Sequence, residues 1–433
     1  MELWQLGAAQ ASERMARGEL SSEAYTRACL ERITQREDAV QAWAHLDPEQ
    51  ALAQARALDQ LPRRSPLHGI PVGLKDVIRT RDLPTTFNSP IYPGHRPNED
   101  AHSVAVLRAL GAVVLGKTQT LEFACGGQFP PTRNPWDLAR TPGGSSSGSG
   151  AAVADGMVPL ALGTQTGGST IRPASFCGIY GMKPTWGRIP FDGIKSFAAH
   201  LDTVGLYGRS VDDLRLLTQA YALTPPGQAS EPPLHHLRLG ICRTPLWHEA
   251  EPDAQLGFEA ALEVLRHAGV SLTEVELDAD FAPINRWQDE IMQDGGRSAF
   301  LPEWLQDPAH LHADFKAKLD NHLGLTPQQL RTALDAVARC RMAFEASVEG
   351  LDAVLSLSAP GEAPLGLHTQ GMATFNRLWT ALQVPCLSLP ALRGRHGLPI
   401  GLQLIHRRYE DHTLLDTAQA LAPLLDKELR AWN

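Results

Sequence analysis

The chain has 433 residues, 43% hydrophobic and 20% charged, with a formal net charge of −9 and a pI near 6.0. That length suits one large α/β domain or two to three smaller ones, with ample apolar material for a large core. The acidic balance, with basic clusters no longer than pairs such as Arg407-Arg408, excludes a phosphate-neutralising nucleic-acid surface.

Nothing in the sequence asks for a membrane: no apolar run reaches the ~18 residues of a bilayer span. The start, Met-Glu-Leu-Trp-Gln, lacks the basic and apolar regions of a signal peptide. Six cysteines, at 29, 125, 177, 242, 340 and 386, include no Cys-x-x-Cys pair, so neither a paired-cysteine zinc site nor a disulfide framework is expected. Separated thiols suit a reducing compartment, and the expected location is cytoplasmic.

In chain order, Ser21-Ser22 can cap a helix in which Tyr25, Cys29 and Ile33 recur every four residues, followed by an Ala-rich stretch over 50–61. The texture then changes. Ile70-Pro-Val-Gly-Leu74, Ala112-Val-Val-Leu-Gly116 and Val158-Pro-Leu-Ala-Leu-Gly163 are short unalternating apolar runs bounded by Gly or Pro, the pattern of strands covered on both faces. Helix-like segments at 101–110 and 210–223 lie among them, which predicts an α/β fold around a mixed, mostly parallel central sheet with helices on both faces. Residues 221–236, with Pro225-Pro226-Gly227 and Pro232-Pro233, read as a linker. Further strands are expected at 237–242, 272–277, 353–357 and 401–405, and the more polar 281–348 as helices forming a lid or one pocket wall. The expected organisation is a single domain over 1–433: an N-terminal helical segment (1–62), a catalytic core (63–220), a variable, partly helical insertion (about 225–350), and a return to the sheet (351–433).

The segment Thr141-Pro-Gly-Gly-Ser-Ser-Ser-Gly-Ser-Gly150 has several readings. Composition alone suggests a flexible linker, but it sits directly before the apolar 151–162 rather than between two cores. A phosphate cradle lacks the Gly-Lys-Ser/Thr ending. A nucleophile elbow, Gly144-Ser-Ser-Ser-Gly148 with Ser146 central, lacks the strand that must precede it. The fourth reading joins this segment to Gly163-Thr-Gln-Thr-Gly-Gly-Ser169 and to Lys75, which ends an interior strand. A lysine there reaches solvent, or is desolvated and serves as a base.

Gly69-Ile-Pro-Val-Gly-Leu-Lys-Asp76, Gly111-Ala-Val-Val-Leu-Gly-Lys-Thr118, Pro142-Gly-Gly-Ser-Ser, Gly167-Gly-Ser169 and Phe176-Cys-Gly-Ile-Tyr-Gly-Met-Lys-Pro184 resemble the amidase signature family, in that family's order. The likeness is strongest over 66–215 and resumes at Gly397-Leu-Pro-Ile-Gly-Leu-Gln403. By motif position it implies Lys75 as base, Ser145 as a relay serine in a cis peptide with Gly144, and Ser169 as nucleophile. The amides of Thr166, Gly167, Gly168 and Ser169 would form the oxyanion hole, and Ala124, Gly126 and Gly127 would border the acyl pocket. The chemistry suits the residue types, because a serine hydroxyl needs a base within hydrogen-bond reach and an acyl intermediate needs oriented N–H donors.

Two departures stand out. Many relatives carry aspartate where this chain has Gln165, and their arginine lies two residues after the nucleophile, whereas Arg172 lies three after Ser169. A charge pair near the site is therefore expected to be reorganised or lost.

The resemblance implies a cofactor-independent, metal-free amidase acting on a small-molecule carboxamide, with a carbamate or ester hydrolase as alternative. A glutaminase subunit of an amidotransferase complex is placed last, and a homodimer is kept open. His235-His236 reads as solvated, Asp76 and Asp212-Asp213 as structural, and Phe300, Trp287, Trp304 and Trp379 as core or pocket-lining.

Overall fold

The computed structural model describes residues 2–224 and 231–431. The linker reading at Pro225-Pro226-Gly227 lies outside the described residues. Among the described residues eleven strands form one sheet: β1 (Trp43–Leu46), β2 (Pro71–Lys75), β3 (Val113–Thr118), β4 (Leu160–Gln165), β5 (Tyr180–Lys183), β6 (Thr203–Gly208), β7 (Arg238–Ile241), β8 (Ser271–Glu274), β9 (Ala353–Leu357), β10 (Cys386–Arg393) and β11 (Pro399–Ile405). Their order is β1-β3-β2-β4-β6-β5-β10-β11-β9-β7-β8.

The sheet is mixed and flanked by helices, as expected, but it is not mostly parallel. Only β2–β3, β2–β4, β7–β8 and β7–β9 pair in parallel. The remaining neighbours, β1–β3, β4–β6, β5–β6, β5–β10, β10–β11 and β9–β11, are antiparallel. The reason lies in strands the apolar runs do not announce. β5, β6 and β10 are interrupted by Gly or Pro, and they enter the middle of the sheet against the direction of their neighbours.

Every residue of β2, β3 and β4 is buried. Successive side chains point to opposite faces, so this burial requires cover on both. By contrast β8, at the sheet's end, is largely exposed. The N-terminal segment is not purely helical, since β1 joins the opposite edge antiparallel to β3. Within it, Ser21 accepts from the Ala24 amide and Asp47 from the Gln50 amide ahead of Pro48, capping the helices Ser22–Val40 and Pro48–Asp59.

The glycine–serine segment is no linker, because all of 141–150 is buried. Ser146 precedes a short helix, Ser147–Ala154, without any strand before it, which also disposes of the elbow reading. Ser149 Oγ bonds to Thr118 Oγ1 at 2.7 Å and to the Leu162 carbonyl at 2.9 Å, tying this helix to β3 and β4. A Cβ on Gly148 would fall well inside contact distance of the Ala42 carbonyl and the Gln119 amide, both main-chain atoms with little room to retreat. We expect Gly148→Ala to lower stability by about 1–3 kcal/mol, the usual cost of overpacking, read as a lower denaturant midpoint. Gly150→Ala, whose added methyl would meet Pro173 Cβ at 3.2 Å, should cost less. Equal midpoints for the two variants would refute this packing argument.

Candidate active site

β2 and β4 are parallel neighbours, so their C-terminal ends open on the same edge of the sheet, where α/β sheets hold their ligands. Lys75 ends β2 and Gln165 ends β4. The Lys75 side chain is fully buried. Its Nζ lies 2.7 Å from Ser145 Oγ and 2.7 Å from Thr164 Oγ1. Burial pushes its ammonium well below the ordinary lysine range; nearby Asp202 opposes that shift and Arg172 adds to it. The Gly144–Ser145 peptide is cis.

Ser169 stands in the loop between β4 and the helix Ile171–Cys177, in the wall of a cavity of about 720 Å³. The cavity also takes in Ala124, Thr166, Gly167 and Gly168. The loop carbonyls are held from behind. Gln288 Nε2 donates to Thr166 O at 2.8 Å, Thr380 Oγ1 to Gly167 O at 2.7 Å, and the Tyr207 hydroxyl to Ser169 O at 3.2 Å. The amides of Gly167, Gly168 and Ser169 donate to no acceptor among the described residues. Main-chain donors left free beside a serine hydroxyl are what an oxyanion requires.

Gln165 and Arg172 form no pair with each other. Gln165 Oε1 accepts from the Thr170 and Ile171 amides at 2.9 and 3.0 Å, while its Nε2 donates to Thr380 Oγ1 at 2.9 Å. A neutral amide thus braces the turn after Ser169 using both its acceptor and its donor. Arg172 instead turns toward the glycine–serine segment. It donates to the Gly144 carbonyl, to Gly371 O at 2.6 Å and to Gln370 Oε1 at 2.7 Å. The expected reorganisation of a charge pair is therefore a replacement by hydrogen bonds to neutral groups.

Ala124 lines the cavity in a left-handed conformation, φ 60°. Gly126 and Gly127 are turned toward the helix Ala313–Leu319. The Gly127 amide donates to Asp314 Oδ2 at 3.2 Å, and a Cβ on Gly126 would meet the same oxygen at 3.2 Å. The four aromatic residues offered as lining take no part in the cavity wall. Trp379 and Phe300 are fully buried in the core, Trp304 is 40% exposed, and Trp287 borders a different depression. The wall from 281–348 is mainly polar instead, with Asn285, Arg286, Asp289 and Gln293 beside Met292 on the helix Ile284–Ala299. Lys318 joins them from the helix Ala313–Leu319.

Sequence reasoning passed over Thr164, Asp202, Gln288, Thr380 and Arg377. Thr164, one residue before the end of β4, was the most accessible of these. Asp202 accepts from Thr166 Oγ1 at 2.6 Å with one oxygen, and with the other from Ser196 Oγ and the Phe197 and Ala198 amides at 2.7–2.9 Å. Its role rests on those contacts, which no local pattern signals. Among the described residues no group of three or more His, Cys, Asp and Glu side chains is placed to hold a metal ion.

The chain belongs to the amidase family, whose family model, Amidase, matches residues 24–415. It is 35% identical to a glutamyl-tRNA(Gln) amidotransferase subunit from Chloroflexus aggregans, covering 99% of this chain and 98% of that protein. Among solved structures it resembles an amidase with a TM-score of 0.86 and 28% identity, over 98% of this chain and 100% of that one. It also resembles a peptide amidase from Stenotrophomonas maltophilia with a TM-score of 0.80 and 28% identity, over 98% and 97% of the two chains.

Proposed function

We propose that this chain hydrolyses a carboxamide C–N bond through an acyl-enzyme on Ser169, with Lys75 as base and Ser145 as relay. The observation that carries the reading is the desolvated Lys75 amine 2.7 Å from Ser145 Oγ, at the strand ends beside the Ser169 loop. A neutral Lys75 takes the Ser145 proton as Ser145 takes that of Ser169, and Ser169 Oγ attacks the amide carbon. The free amides of Gly167, Gly168 and Ser169 receive the charge that develops on the carbonyl oxygen. As the C–N bond breaks, the relay returns the proton to the departing nitrogen. Water then repeats the sequence on the ester and frees Ser169.

For the setting of this reaction, the relatives favour a reading that the sequence motifs ranked last. A 35% identical protein of nearly the same extent is named as an amidotransferase subunit, which supports glutamine as ammonia source and a partner chain as recipient. A free-standing amidase is the second reading, favoured by the likeness to the peptide amidase. Carbamates and esters remain chemically accessible to the same relay. A cytoplasmic setting fits both readings; among the described residues no helix is long and apolar enough to cross a membrane.

The test is a panel of glutamine, simple primary amides, anilides, carbamates and aryl esters, assayed with the isolated chain without ATP or partner. Ammonia release from glutamine and primary amides is expected. Turnover of anilides or carbamates with glutamine inert would overturn the subunit reading, and an inert panel would overturn the free-standing amidase.

A further inference from the structure

The cavity beside Ser169 carries the opposite charge to the chain as a whole. The protein has a net charge of −9. Yet the cavity lining holds four basic side chains (Arg172, Arg286, Lys318, Arg377) against two acidic ones (Glu249, Asp289). A local excess of positive charge in an acidic protein selects an anionic ligand. At about 720 Å³ the space suits a small molecule.

Two of the four cations are held by other groups, and a third, Arg286, stands largely in solvent. Arg172 is spent on two main-chain carbonyls and Gln370. Lys318 Nζ donates to the Asp314 carbonyl at 3.2 Å and lies over the Phe197 ring. Arg286 is 68% exposed and leans toward Glu290. Arg377, on the helix Thr374–Ala381, is different. Its single side-chain bond is a long one, 3.4 Å from Nη1 to Asp289 Oδ1, and its other guanidinium N–H groups meet no acceptor among the described residues. Its stem runs beside the nucleophile loop, with Cγ 4.0 Å from where a Cβ on Gly167 would stand. A guanidinium with a free fork of donors matches a carboxylate in two-point geometry.

We propose that Arg377 is a specificity-determining residue that anchors a carboxylate of the substrate, so that the preferred substrates are small carboxamides carrying a carboxylate. This rests on the amide-hydrolase reading and deepens it. The acyl carbonyl sits at the Gly167–Ser169 loop and the carboxylate at Arg377, while a neutral amide of the same length leaves the guanidinium with only its weak Asp289 contact.

The test is direct binding to the Ser169→Ala protein by calorimetry, which needs no turnover, with succinamate, succinate and neutral butyramide as ligands. Succinamate and succinate are expected to bind saturably and butyramide at least ten-fold more weakly. Arg377→Gln should weaken both anions at least ten-fold and leave butyramide unchanged, with Arg377→Lys recovering part of the loss. Anion binding that Arg377→Gln does not alter, no anion binding at all, or equal binding of butyramide would overturn the proposal. Fluorophosphonate labelling of Ser169 in the unaltered chain is read separately and reports on the hydrolase reading alone, so the two can fail independently.

Discussion

Replacing Ser169 with alanine should abolish covalent labelling by a fluorophosphonate and lower turnover by roughly 10⁴–10⁶-fold, the scale seen when a nucleophilic serine is removed. The loss should come without a loss of fold. Ser169 Oγ makes no hydrogen bond among the described residues, and its main-chain carbonyl keeps its bond from Tyr207. Removing the oxygen therefore orphans no partner, and stability should change by no more than about 0.5 kcal/mol. A folded variant that still labels, or one that turns over at the parental rate, would place the nucleophile elsewhere.

Lys75→Ala should lower acylation by roughly 10²–10⁴-fold, the range for loss of a positioned base. The fully buried side chain leaves a cavity when truncated, so Lys75→Met, which keeps most of the volume, separates lost chemistry from lost packing. Both variants should show this loss; a methionine variant with near-parental activity would remove Lys75 from the proposed relay.

The pH dependence follows with its sign. The base proposed at Lys75 works as the neutral amine, and burial holds its folded pKa well below the ordinary lysine value of 10.5. Activity should therefore rise with pH through a limb lying below that value and then level off. Activity that climbs as pH falls would contradict a lysine base. Stability carries the same signature. Between the folded pKa and that of the unfolded chain, the unfolded state binds one more proton at Lys75 than the native state does. Stability should thus rise with pH across that window, and Lys75→Met should lose this component of the slope in denaturant midpoints.

The difference at Gln165 and Arg172 shows how far motif position carries. Position alone marked both as departures from the family pattern and suggested a disturbed charge pair. Gln165 braces the turn after Ser169 through the nearby Thr170 and Ile171 amides and Arg172 holds the Gly144 carbonyl, but the groups that fix these two side chains, Thr380, Gly371 and Gln370, lie some two hundred residues away in the chain. The polar cavity wall is a similar case. Large aromatic residues in the later part of the chain were reasonable candidates for a pocket, but in the folded protein Trp379 and Phe300 are needed to fill the core.

By itself the sequence determined that the chain builds a sheet covered on both faces, because buried strands must be apolar throughout and runs such as 70–74 and 112–116 are. It also marked Lys75 at a strand end, two serine segments after it and the family to which that order belongs, since such motifs are local. Tertiary structure alone decided the direction of β5, β6 and β10, the placement of Gly148 against Ala42 and Gln119, and the gathering of Asp202, Gln288 and Arg377 around the Ser169 loop. The physical reason is the same in each case. These features are contacts between segments far apart in the chain, and a contact of that kind leaves no periodicity in either segment from which it could be read.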